Sequence, residues 1–130
     1  MVKNLNRKVG EMNYDGLITD LTPPVQVTGG VVSKLAAGAT YTRGTAFAKS
    51  TLSGKLYILG TVAPNGDTLT PDCILCDDED IGTGEDVSTT VYAAGCFDPD
   101  KVIVASGYTM TTADRDKLRE RGIVFKAASN

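Results

Sequence analysis

The sequence predicts a mostly β protein with one short α-helix, built as a small sandwich-like or barrel-like body with an extended N-terminal arm. Three observations lead there. Turn residues recur about every eight to twelve positions from Val31 onward, the spacing of short strands in an all-β domain. The runs between them are rich in Val, Ile, Leu and Tyr. Only the stretch near the C-terminus carries both the start and the stop signals of a helix.

The first thirty residues read as the arm. Leu17, Thr19 and Leu21, and then Val25, Gln26 and Val27, form two short alternating runs on either side of Pro23-Pro24. Alternation is a strand signal, and proline biases its neighbours towards extended backbone while removing a ladder donor. Such a segment is edge material or a loose terminus; we read it as an arm over residues 1–30, with a folded body over 31–130. Lys3, Arg7 and Lys8 put a small basic patch at its start.

In the body, Val31-Val32-Ser33-Lys34-Leu35 is a candidate strand, and Ala37-Gly38-Ala39 and Arg43-Gly44-Thr45 are turns. Residues 46–49 and 55–59 are further strands, separated at Ser53-Gly54. Pro64-Asn65-Gly66-Asp67 is a strong turn signal, because Asn-Gly readily takes positive φ angles. Cys73 to Cys76 and Ser88 to Ala94 are strands joined by an acidic loop, Asp77 to Asp86. Thr111 or Thr112 can cap a helix running from Ala113 to Arg121, with Asp114 in its first turn and Gly122 just past its end. Its one strong apolar residue, Leu118, predicts a surface helix touching the core along one stripe. Ile123 to Lys126 is a closing strand.

Several function classes lose support at this stage. The 130 residues carry a net charge of −3, with no Lys or Arg between Lys55 and Lys101, which argues against nucleic acid as a direct partner. With no His, a Ser-His-Asp triad is impossible. Cys73-Ile-Leu-Cys76 has a redox-like spacing, but alternation along a strand sends its two sulfurs to opposite faces. Zinc needs four ligands, and three cysteines without His fall short. The acidic loop could attract Ca²⁺ but lacks the EF-hand pattern; a solvated acidic turn explains it more simply. No cofactor is expected. No apolar stretch approaches a membrane span, and Met1 to Gly10 lacks the apolar run of a secretory signal, so we expect synthesis and retention in a cytoplasm. The odd cysteine count agrees with a reducing compartment.

Several segments, in order, resemble the head-decoration family of tailed bacteriophages. They begin with Asp15-Gly16-Leu17-Ile18 and the arm. Next comes Ala37 to Lys49, similar to the family's G-x-x-x-x-R-G-T-x-x-x-K stretch through Gly38, Arg43, Gly44, Thr45 and Lys49, and then Ser53-Gly54-Lys55. Ile74-Leu75-Cys76-Asp77-Asp78-Glu79-Asp80 resembles an apolar strand entering an acidic turn. Val91 to Phe97 resembles a strand ending in Gly-x-Phe, and the short helix leads into Arg121-Gly122-Ile123-Val124-Phe125. The basic start of the arm and Pro23-Pro24 depart from the pattern.

The resemblance implies a decoration-protein fold of the β-tulip type and a non-catalytic role. It implies a homotrimer on the outer surface of the virion capsid, at three-fold and quasi-three-fold sites of the expanded head. There it would bind the major capsid protein and stabilise the shell against internal DNA pressure. The arm would add a strand to capsid sheets, with Leu17, Ile18, Leu21, Val25 and Val27 pairing at the edge and filling pockets. On this reading, deletion of residues 1–27 leaves a folded trimer that no longer binds shells. The rivals are another trimeric virion surface component, such as a fibre base, and a small metal-dependent hydrolase using the acidic loop.

Overall fold

The structure, a computed structural model, describes residues 16–62 and 66–127. Lys3, Arg7, Lys8, Tyr14, Asp15 and the Pro64-Asn65 half of the predicted turn lie outside those residues. In chain order the strands are β1 (Ile18–Asp20), β2 (Gln26–Val32), β3 (Ala39–Tyr41), β4 (Ala46–Ser50), β5 (Leu56–Ile58), β6 (Leu69–Leu75), β7 (Glu79–Ile81) and β8 (Val87–Phe97). A 3₁₀ turn (Pro99–Lys101), helix α1 (Thr112–Arg121) and strand β9 (Ile123–Phe125) complete the chain.

Five strands close into a small barrel in the order β8-β2-β5-β4-β6, with β6 pairing back onto β8. The pairings are antiparallel except β2–β5, where Val32 lies opposite Leu56. Closure removes the exposed edges that an open sheet of short strands would leave. The pleat then sorts side chains into two cores. Val32, Phe47, Leu56, Cys73, Leu75 and Val91 fill the lumen. On the outer face, Ala46, Ala48, Ile74, Cys76 and Tyr92 meet Leu17, Ile18, Phe97, Leu118 and Ile123 in a second core. The alternation Cys73, Ile74, Leu75 at the end of β6, continued by Cys76 just beyond it, serves both cores, which is why four consecutive residues are all buried. Pro71 is tolerated within β6 because it sits beside a register shift opposite Phe47 and Ala48.

β8 has eleven residues and outlasts the barrel. Beyond Ala94 it becomes the centre of a second small sheet, with β1 antiparallel on one side and β9 parallel on the other. Gly95 marks the change. Its φ is +149°, and a Cβ there would lie 3.0 Å from the Phe97 ring.

Helix α1 forms as the sequence predicts. Thr111 accepts from the Asp114 amide, and the Asp114 carboxylate accepts from the Thr111 amide at 3.0 Å. This capping box satisfies two donors the first turn leaves open. Gly122 ends the helix at φ +102°. Leu118 is its buried residue and plugs the second core. Thr111→Ala is expected to lower stability by about 1 kcal/mol, read from urea unfolding.

Three expectations need correction. The boundary between arm and body does not fall at residue 30. Residues 26–32 form barrel strand β2, paired with β8 along its length, so the described part of the predicted arm belongs to the folded unit. The expected alternation of Leu17, Thr19 and Leu21 also fails. Leu17 and Ile18 are both buried while Leu21 is exposed, because β1 is only three residues long and its register shifts between Ile18 and Asp20. The segment 77–86 is likewise less loop-like than its composition suggests: Glu79–Ile81 pairs with Ala39–Tyr41.

Candidate interaction surface

The five residues singled out in the N-terminal segment separate into three environments. Leu17 and Ile18 are core residues, 1% and 3% exposed, and present no side chain to a partner. Their assignment to partner binding is therefore withdrawn on burial alone. Val25 is half-buried and packs towards Gly95, where an added Cβ would meet its Cγ2 at 3.4 Å. Leu21 and Val27 face solvent, 53% and 58% exposed.

Val27 begins an outward-facing row on β2. The register pairs Val27 with Tyr92, Gly29 with Thr90 and Val31 with Ser88, which places these residues on one face. Val31 is exposed as well. Val27 and Val31 thus put apolar surface on one face of β2, and Leu21 exposes a further apolar side chain just past β1. Sequence reasoning missed Val31 by treating it as the start of the core; Gly29-Gly30 hid the fact that one strand runs through both. It also missed Leu52 and Val62, which are strongly exposed near turns where isolated apolar residues give no periodic signal.

The edge of β1 offers main-chain groups next to Leu21. β1 ends the strand order and, among the described residues, pairs with β8 alone. Its course is fixed by the other end of the chain. Thr19 Oγ1 donates to the Lys126 carbonyl at 2.8 Å, and Lys126 Nζ lies 3.0 Å from Asp20 Oδ2. The Lys126 ammonium, as a hydrogen-bond donor, holds the Asp20 carboxyl below its ordinary range.

Asp67 and Asp86 are held low in the same sense, by the Ser50 hydroxyl and by the Lys55 ammonium respectively. A depressed folded-state pKa means stability that is complete above the unfolded Asp value and lost as the pH falls through the folded one. The melting temperature should therefore be flat from neutral pH to about pH 5 and fall below about pH 4. Thermal melts across that range check it. A fall beginning near neutrality would contradict this assignment.

The remaining candidates resolve into structural roles. Cys73 points into the lumen and Cys76 into the outer core, so their sulfurs occupy separate clusters. Burial raises both thiols, Cys76 to about 11, which disfavours the thiolate needed for redox or metal chemistry. In the acidic segment, Asp78 accepts from the Arg43 amide at 2.8 Å, and Asp80 accepts from Thr40 Oγ1 at 2.6 Å. Glu79 accepts from Thr89 Oγ1 at 2.7 Å. These carboxylates fasten β7 to its neighbours. Among the described residues, no three Cys, Asp or Glu side chains converge where they could hold a metal ion.

The Arg43-Gly44-Thr45 stretch is also structural. The Arg43 guanidinium lies 5.4 Å from the Tyr92 ring centroid and donates to the Cys76 carbonyl at 3.2 Å. Gly44 takes φ +99°, and a Cβ there would come 2.9 Å from the Lys101 carbonyl oxygen. Thr45 is buried and donates to the Thr42 carbonyl at 2.7 Å. No family model matches the chain, and no curated protein matches it in sequence.

Proposed function

We propose that the protein is a bacteriophage capsid decoration protein, non-catalytic, which binds the outer surface of an expanded head as a trimer and stabilises the shell. The observation that carries the reading is a β1 edge that pairs with β8 alone among the described residues, together with exposed Leu21, Val27 and Val31 on the same N-terminal third of the chain. An exposed edge can add a strand to a neighbouring sheet through main-chain hydrogen bonds, while apolar side chains beside it fill pockets. The ordered likeness to the decoration family supplies the partner, the major capsid protein, and the trimeric state.

The physics of multivalency suits this role. Three edges on one trimer raise the effective concentration at a lattice site far above that of a single chain, so weak individual contacts suffice. The assembled shell is then preferred over a free capsid subunit.

The test is a pair of charge substitutions, Leu21→Asp and Val27→Asp, assayed by co-sedimentation with expanded heads. Both positions are solvent-facing, so the melting temperature should stay within a few degrees of the parent. Shell binding should weaken by at least about tenfold, the factor for roughly 1.4 kcal/mol. Unchanged binding in the folded double variant would remove this surface from the function.

A further inference from the structure

The second sheet has two outer strands. β1 closes one side and β9 the other, and among the described residues each pairs with β8 alone. The bonds to β8 fix which groups of β9 are left over. The Gly95 amide donates to the Gly122 carbonyl at 3.0 Å, and the Lys126 amide to the Phe97 carbonyl at 2.9 Å. In a parallel ladder this turns the Val124 main chain towards β8 and the main chains of Ile123 and Phe125 away from it. Beside that outer edge runs a groove of about 260 Å³, walled by one face of α1. Thr112, Arg115, Asp116 and Arg119 recur there at helical spacing, and all four are exposed. A strand laid against β9 would pass directly beneath them.

The charges along the groove decide which strand fits. Arg119 is held by Asp116 at 3.2 Å. Arg115 lies over the Phe125 ring, 5.5 Å from its centroid, and makes no ion pair among the described residues. The ring fixes the guanidinium at the strand edge without neutralising it. An added strand therefore gains by carrying a carboxylate opposite Arg115. The chain has such a strand at its other end. β7 pairs with β3 alone among the described residues and lies in the run Asp77-Asp78-Glu79-Asp80-Ile81. The Ile81 carbonyl is on the β3 side, 3.3 Å from where a Cβ on Gly38 would sit, so alternation turns the Asp80 main chain outward. Asp80 is exposed and engages Thr40 through Oδ1. Thr89, which holds Glu79, and Gly95, which pairs with β9, are about 20 Å apart along β8. The β7 of one chain therefore does not reach its own β9.

We infer that the β9 edge receives the β7 edge of a second copy of this chain, head to tail, with Asp80 of the second copy facing Arg115. Symmetric pairings are disfavoured, because β9 on β9 would oppose two Arg115 side chains and β7 on β7 two Asp80 side chains. Each copy presents one edge of each kind, so the contact repeats from copy to copy and can close into a ring. The inference rests on the proposed function only for the number of copies in that ring. It uses neither the β1 edge nor Leu21, Val27 and Val31.

Sedimentation velocity of the full chain, without shells, tests it. The parent should associate as its concentration rises, up to a trimer. Arg115→Glu and Asp80→Lys should each weaken association by about tenfold or more, because like charges then meet across the edge. The double variant Arg115→Glu/Asp80→Lys again places opposite charges face to face and should recover it. Hydrogen exchange should find the Phe125 amide protected in the associated parent and unprotected in Arg115→Glu. Both substituted side chains are exposed, so thermal melts should stay close to the parent. If Asp80→Lys fails to fold through loss of the Thr40 bond, Arg115→Glu and the Phe125 amide decide. A monomeric parent, unchanged association in Arg115→Glu, no recovery in a folded double variant, or an unprotected Phe125 amide in the associated parent would overturn the contact. Association as expected by a chain that leaves expanded heads bare would remove the decoration function and keep the contact.

Discussion

Deleting residues 1–27 should unfold the protein, whereas deleting residues 1–15 should leave a cooperative thermal transition. The longer deletion removes Leu17 and Ile18 from the second core, where each is almost fully buried. Emptying a buried Leu or Ile position to Ala costs about 2–5 kcal/mol, and two such losses approach the whole stability of a small domain. The same deletion removes the Asp98 amide's bond to the Leu17 carbonyl, at 2.7 Å, and the Thr19 clamp on Lys126. It also takes Gln26 and Val27 from the end of β2 that pairs with β8. This reverses the expectation drawn from the sequence, in which the whole segment before Val31 was separable. Circular dichroism melts of the two truncations decide between them. A folded 28–130 fragment would show that β1 is dispensable to the body.

The second large effect is expected at Phe47. It is the largest side chain in the lumen, fully buried, edge-on to Tyr41 with centroids 5.6 Å apart. Phe47→Ala should cost about 3–5 kcal/mol through lost transfer energy and the cavity left behind. Its neighbours come from every strand of a closed barrel, so collapse onto the void would require several strands to move together. That places the expected cost towards the upper end of the range. Urea unfolding measures it directly. A loss below about 1 kcal/mol would mean that the lumen is not a tightly packed core.

Much of the fold was legible because its strongest local signals agree with its tertiary structure. The capping residues around Thr111 and Asp114, the Gly122 stop and Leu118 together define a helix that packs where they say it should. The strands over 46–49, 73–76 and 88–94 carry continuous apolar or β-branched runs, and they form barrel walls covered on one or both faces. What was missed has a common cause. β3 and β7 are short and polar, held by Thr40–Asp80 contact and cross-strand bonds that leave no hydrophobic period to read. β2 was truncated because Gly29-Gly30 weakens its pattern, although Gly30 is required where Leu56 crosses it.

The interaction surface was partly legible for the same reason. Alternation identified the right segment but assigned faces that a three-residue strand with a register shift does not keep. Leu17 and Ile18, chosen for apolar character, were taken by the core; Leu21 and Val27 were left exposed. Burial is a property of the closed barrel and the second sheet, and neither can be seen from seven consecutive letters. The ion pair of Asp72 with Arg121 is hidden more deeply, since it forms only once α1 packs against β6.

The central claim, attachment to an expanded phage shell, has one direct test. Electron cryomicroscopy of expanded heads incubated with the full chain should reveal added protrusions at three-fold and quasi-three-fold positions, each accommodating three copies and contacting the shell through the β1–β2 side. Heads without added density at saturating protein, or density at other symmetry positions, would contradict it.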